Sequence, residues 1–175
     1  MSKGNVEWLG PLRACEVLLS THDTHSDDVA VVSAVWNAIG TLCSSNRERL
    51  GSLGTPSRVV KSLRSFYPVI KTVGKNVSST STSSLSPSSS ACVASAAAYA
   101  IGRLCEPLNT LTDVTLENRI ALFDAGCCDV LTSVLEEEFN DLSAATNIFK
   151  AIATLTNGSV NFKVKNQYYC YAALE

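Results

Sequence analysis

Histidine is scarce in this chain: 175 residues hold only two, with one methionine, two tryptophans and a charged fraction of 17%. Both histidines lie in His22-Asp-Thr-His25, which leaves imidazole acid–base chemistry a single short stretch to draw on. No phosphate-cradling Walker loop, dinucleotide fingerprint or Gly-x-Ser-x-Gly turn occurs, so the usual sequence signs of nucleotide or acyl-transfer chemistry are missing. A carboxylate pair remains open in principle, but nothing selects one. The expectation is a chain that is not an enzyme and carries no cofactor. Apolar runs are short as well. No stretch of about 18 apolar residues suggests a membrane span, and no charged-then-apolar leader is expected at the start. Net charge is −2, which argues against bulk capture of nucleic acid.

What is present is apolar and helical. Hydrophobic residues make up 46% of the chain, a globular composition. The seven cysteines are odd in number and scattered through apolar patterns. They read as reduced core residues of a cytoplasmic, or nuclear, protein rather than a disulfide framework. In that setting the Asn-x-Ser matches at Asn76 and Asn157 are chance.

Three segments repeat one helical pattern. Ser33–Cys43, Ala96–Cys105 and Thr146–Thr156 align on Ala38, Ala100 and Ala151, each followed by Ile and, four residues after the Ala, by Leu. Gly40, Gly102 and Ala153 coincide in this register. Apolar spacing of three and four predicts one buried helix face, and the small residues predict close approach of a neighbour. A second pattern is interleaved: Asn46-Arg47 and Asn118-Arg119 are each followed, eight residues after the Asn, by Gly54 and Gly126. Asn suits an N-cap and Gly a left-handed end, predicting a short two-turn helix in each copy. Leu19, Leu63 and Leu135 lie nine residues beyond Gly10, Gly54 and Gly126, and Asn161 opens another copy 43 residues after Asn118.

A short, a middle and a long helix at this period, with Asn-Arg…Gly preceding Ala-x-x-Ala-Ile-x-x-Leu, resemble the armadillo repeat family. The resemblance covers essentially residues 5–165. It implies an all-α, right-handed superhelical solenoid of about three to four partly complete three-helix repeats. The third helices would line a concave surface, and residues 1–175 would form one repeat domain. The chain ends in Gln167–Glu175, which the repeat register would place inside a middle helix, so the last repeat is expected to be truncated and a fragment of a longer array is one reading. The spacing from Asn46 to Asn118 is 72 residues, about 30 more than one repeat needs. The excess is assigned to a disordered Ser-rich insertion at about 74–90 and an extended connection at about 106–116. The insertion is either a tolerated loop or a phosphorylation-regulated segment with Ser86, in Ser86-Pro87, as its candidate site.

Import-receptor armadillo proteins carry a Trp/Asn ladder on the third helix. The matching positions here are Asn37 and Thr41, Tyr99 and Arg103, Lys150 and Thr154; the ladder is absent, and Trp36, one position off, is expected to face the core. These six residues are the candidate concave contacts for a protein partner, against the plainer reading of a solvated helix face. Arg58, Lys61 and Arg64 form a candidate basic patch, set in a stretch, residues 47–75, with seven basic side chains and Glu48 alone as acid. Residues 106–141 carry nine acids against Arg119; Glu136-Glu-Glu138 and Asp141 read as a solvated turn preceding a helix. His22, His25, Asp27 and Asp28, placed in a loop, lack metal-site spacing, and no metal is expected. Cys127-Cys128 should place one thiol in the core, and Cys43 and Cys105, at equivalent positions, should both pack. Two functions from different classes remain: an adaptor holding a protein partner on its concave face, or a structural subunit self-associating through uncapped repeat ends. Neither nucleic acid nor a membrane is expected as partner.

Overall fold

In the computed structural model the described residues are 9, 12–67, 87–106, 113–138 and 140–156, with the side chains of 87–89 and 113 excluded. They are all-helical. Seven helices follow in order: α1 (Ala14–Thr24), α2 (Val29–Ser52), α3 (Thr55–Phe66), α4 (Pro87–Cys105), α5 (Asp113–Asp124), α6 (Cys127–Glu138) and α7 (Leu142–Thr156). No strand occurs among the described residues.

The repeated register is the core. Ile39, Ala100, Ile101, Leu104 and Ala151 are fully buried, and Leu42 and Leu155 nearly so. These positions let α4 pack between α2 and α7, the most extensive helix contacts in the fold. Around them α1 packs on α2, α3 on α4 and α6, and α6 on α7. Trp36 is inaccessible, as expected, and its Nε1–H donates to Ser62 Oγ at 3.0 Å. By length and mean hydropathy (1.2) α2 is apolar enough to cross a membrane, contrary to the expectation that no segment would be. Here its apolar face is the floor of the core, with Val32, Val35, Trp36, Ile39 and Leu50 buried.

Punctuation follows local chemistry. Asp28 Oδ1 accepts from the amides of Ala30 (2.9 Å) and Val31 (3.1 Å) and so caps α2. Asp141 Oδ1 accepts from Ala144 N (2.8 Å) and caps α7, as the acid-rich turn suggested. Gly54 and Gly126 both have φ of 76°, the left-handed conformation anticipated for them.

The break expected at Asn46 is there: its backbone leaves the helical region (φ −129°, ψ 21°) and two helical segments meet at this kink within α2, while Asn46 Nδ2 donates back to Leu42 O at 3.2 Å. Several other expectations are corrected. Asn118, by contrast, is no cap, lying buried inside α5. The connection placed at 106–116 is shortened because α5 begins at Asp113, and residues 87–90 of the supposed disordered insertion are the first turn of α4. His22 belongs to α1 rather than to a loop and is 5% exposed. Ser86, Asn76, Asn157, Asn161 and Gln167–Glu175 lie outside the described residues.

Candidate functional site

A groove of about 300 Å³ runs between α4 and α7, lined by Ala98, Tyr99, Gly102, Arg103, Glu106, Asn147, Lys150 and Thr154. It gathers four of the six expected contacts: Tyr99, Arg103, Lys150 and Thr154. The i, i+4 spacing within α4 and within α7 puts each pair on one face, and Gly102 leaves the floor open between them. Asn37 and Thr41 do not line it. They sit one turn apart on α2, where Thr41 Oγ1 donates to Asn37 O at 3.0 Å.

The groove's cations differ in freedom. Lys150 is exposed and has no side-chain partner among the described residues. Arg103 is instead committed: its Nη1 donates to Glu106, and its Nε is buried without a partner among the described residues. Tyr99 is half-buried, and its hydroxyl has no partner among the described residues. The side of the groove thus offers two unspent donors, an ammonium and a phenol.

The Asn-Arg motif has a structural explanation that sequence reading missed. Arg47 Nε donates to Arg103 O at 2.8 Å, and Arg119 donates to Cys105 O from Nε (3.2 Å) and Nη2 (2.8 Å). Carbonyls in the last turn of a helix lack intrahelical donors and carry the negative end of its dipole. Arginines from two successive copies of the motif therefore converge on one helix end, that of α4. Arg47 also stands 3.5 Å from Glu106, and burial lowers its affinity for its proton. Asn118 Nδ2 donates to Arg47 O at 3.4 Å, tying the two copies together.

Glu138 is another structural group rather than a solvated one. Its Oε1 accepts from Tyr67 Oη at 2.7 Å and from Ser90 Oγ at 3.0 Å. Tyr67 is 2% exposed, and burial, then the bond to Glu138, pushes its phenol well above the usual range. One carboxylate so holds the end of α3 and the start of α4.

The supposed basic patch separates. Arg64 Nη2 donates to Ala125 O at 2.7 Å, closing the end of α5. Arg58 pairs with Asp23, Nε to Oδ2 at 3.1 Å, and also donates to Leu53 O. Arg58 and Lys61 do share a second pocket, of about 300 Å³, with His22, Asp23, Ser26, Ser62 and Ser65. At its back His22 lies 4.8 Å, ring to ring, from Trp36 and bonds through Nδ1 to Asp23 Oδ1 at 3.1 Å. His22 Nε2 is buried and without a partner among the described residues, a state that costs roughly 1–3 kcal/mol. Burial raises the Asp23 carboxyl, but bonds from His22 and Arg58 outweigh it, and the net shift is downward. Arg47, Arg49, Arg58 and Arg64, four cations of the basic stretch, are thus bonded within the fold.

The thiols look structural. Cys43 and Cys105 are fully buried, and burial pushes both up to about 12. Cys127 is buried while its neighbour Cys128 is half-buried, matching the expected division. No group of three or more His, Cys, Asp or Glu side chains able to hold a metal occurs among the described residues. Comparison with protein-family models, with curated proteins and with solved structures returns no match in any of the three.

Proposed function

We propose that this chain is an armadillo-type α-solenoid that acts as a non-catalytic adaptor, holding a segment of a protein partner in the groove between α4 and α7. The observation that carries the reading is the meeting of Tyr99, Arg103, Lys150 and Thr154 on one groove, from sequence positions about 50 residues apart that match in the repeat register. Stacked α-helical units present such grooves without any moving part, and an extended or helical segment fits between their ridges. Glycine at 102 keeps the floor low, and the unspent donors supply orientation. The buried thiols of Cys15, Cys43, Cys105 and Cys127, none of them in a disulfide, support a cytoplasmic or nuclear setting.

Tyr99→Ala combined with Lys150→Glu tests this by affinity purification from the native source, compared with the unsubstituted chain. Loss of a defined partner set, with an unchanged thermal transition, supports the adaptor reading. An identical partner set from both chains removes this groove from consideration.

One observation favours a structural-subunit reading as second. α7 leaves Leu142 82% and Phe149 53% exposed, and Leu12 just before α1 and Val17 within it are 72% and 60% exposed. Apolar faces on the first and last described helices suit end-to-end association of copies. Light scattering across a concentration series separates the two: ordered growth supports the subunit, and a monomer at all concentrations supports the adaptor.

A further inference from the structure

The pocket between α1 and α3 shares no residue with the α4–α7 groove, and it holds two cations, Arg58 and Lys61, against one acid, Asp23. We propose that it is a binding site for a phosphoryl oxyanion, held by Lys61, Arg58 and Ser62.

Lys61 is exposed at the pocket and has no side-chain partner among the described residues. Ser62, one residue on, is 3% exposed, and its Oγ already accepts the indole N–H of Trp36 at 3.0 Å. That bond fixes the oxygen and leaves the hydroxyl's own proton to be donated. Arg58 uses Nε on Asp23 and Nη1 on Leu53 O, so Nη2 is unspent among the described residues. Its guanidinium is thereby oriented before any ligand arrives, which reduces the ordering required on binding. Ser65 Oγ donates to Lys61 O at 3.1 Å and stiffens the same turn.

Three independent donors from three residues suit a group with three acceptor oxygens better than a carboxylate with two. Asp23 is the acid in the wall; Arg58 counters it at 3.1 Å, and His22 Nδ1 bonds to it at 3.1 Å. A metal cation would meet two fixed positive charges. A flat aromatic ligand would find no exposed ring, since Trp36 is fully buried. The volume, about 300 Å³, admits a phosphoryl group with part of whatever carries it.

Titration calorimetry on the full chain at constant ionic strength tests the site, with two probes. One is inorganic phosphate; the other is a phosphoserine peptide set against its unphosphorylated twin. Saturable binding of either phosphoryl probe is expected, weakened about tenfold by Lys61→Ala and restored in large part by Lys61→Arg. Arg64→Ala, which removes a neighbouring cation outside the pocket, should leave the affinity within about twofold. A phosphopeptide tighter than phosphate, with a silent twin, identifies a phosphorylated side chain as the source. Phosphate equal to or tighter than the peptide identifies the free anion. Absence of saturable binding by both probes overturns the proposal, as does an equal loss in Lys61→Ala and Arg64→Ala.

Discussion

Two glycines in the same register should respond oppositely to alanine. A Cβ built at Gly40 lies 2.5 Å from Cδ1 and Cε1 of Tyr99 and 3.4 Å from Ala100 Cα, whereas one at Gly102 meets nothing nearer than 3.8 Å, at Ala151 Cα and Thr154 Oγ1. Both positions are helix interiors, where replacing Gly by Ala gains roughly 1 kcal/mol from backbone entropy and propensity. At Gly102 that gain is unopposed, so Gly102→Ala should stabilise by about 0.5–1 kcal/mol. At Gly40 the Tyr99 ring must move, and overpacking of this kind costs about 1–3 kcal/mol. Gly40→Ala should therefore be destabilised by up to about 2 kcal/mol net, with its strain directed at a groove residue. Urea unfolding followed by far-UV circular dichroism measures both. A Gly102→Ala variant destabilised by more than about 1 kcal/mol would refute the reasoning, because it would mean that α4 and α7 approach as tightly as α2 and α4.

Arg119→Ala should lose about 2–4 kcal/mol in the same assay, since two charge-assisted bonds to Cys105 O disappear and a buried carbonyl is left bare. Glu138→Ala removes the common acceptor of Tyr67 and Ser90, and it should cost about 2–3 kcal/mol and speed proteolysis between α3 and α4; unchanged cleavage there would contradict the clamp. Asp28→Ala should cost about 1 kcal/mol through the lost cap of α2. The carboxyls of Glu16, bonded by Arg49, and of Asp23 are held below their ordinary values of 4.5 and 3.8. The folded state then binds fewer protons than the unfolded one, so their contribution is present at neutral pH and is lost as pH falls through and below those values. A transition temperature that is flat from pH 7 down to 3 would contradict it.

Helix positions and the core were legible in the sequence because both rest on periodicity. The Ala-Ile…Leu register marks buried faces on three helices, and the left-handed glycines mark two turns at Gly54 and Gly126. Four residues lining the α4–α7 groove are ones that the armadillo resemblance had singled out as candidate contacts. What periodicity does not encode is the partner of a polar side chain. Arg58, Lys61 and Arg64 drift slowly round one helix, which suggested a patch. Arg64 leaves that patch because the Ala125 carbonyl takes its guanidinium, and Arg58 is drawn to Asp23, while Arg58 and Lys61 still share one pocket. His22 was misplaced for a related reason: His-Asp-Thr-His looks like a polar loop, yet α1 continues through it to bring the ring against Trp36. Asn46 and Asn118 carry cap-forming side chains; Asn46 bonds back to Leu42 O within its own helix, and a tertiary partner, Arg47 O, takes Asn118.

The Asn-Arg motif shows how an all-helical fold can hold polar groups at its seams. Each arginine is nearly buried, Arg47 at 7% and Arg119 at 4% exposed, and an unpaired buried guanidinium would be strongly destabilising. The last turn of α4 supplies acceptors for both, so the desolvation of two cations is offset by a helix end that itself needs donors. Because the arginines come from the helical segments on either side of α4 in the chain, α4 is placed relative to α2 and to α5 by the same few atoms. Gly51 makes that approach possible: a Cβ there would lie 2.2 Å from Asn118 Oδ1. Gly51→Ala should accordingly disturb Asn118 and, through Arg47 O, the lock on α4. Arg103 and Glu106, which wall the α4–α7 groove, sit at that locked end. Rigidity at the seam is thus transmitted to the groove wall without any groove residue being part of the motif.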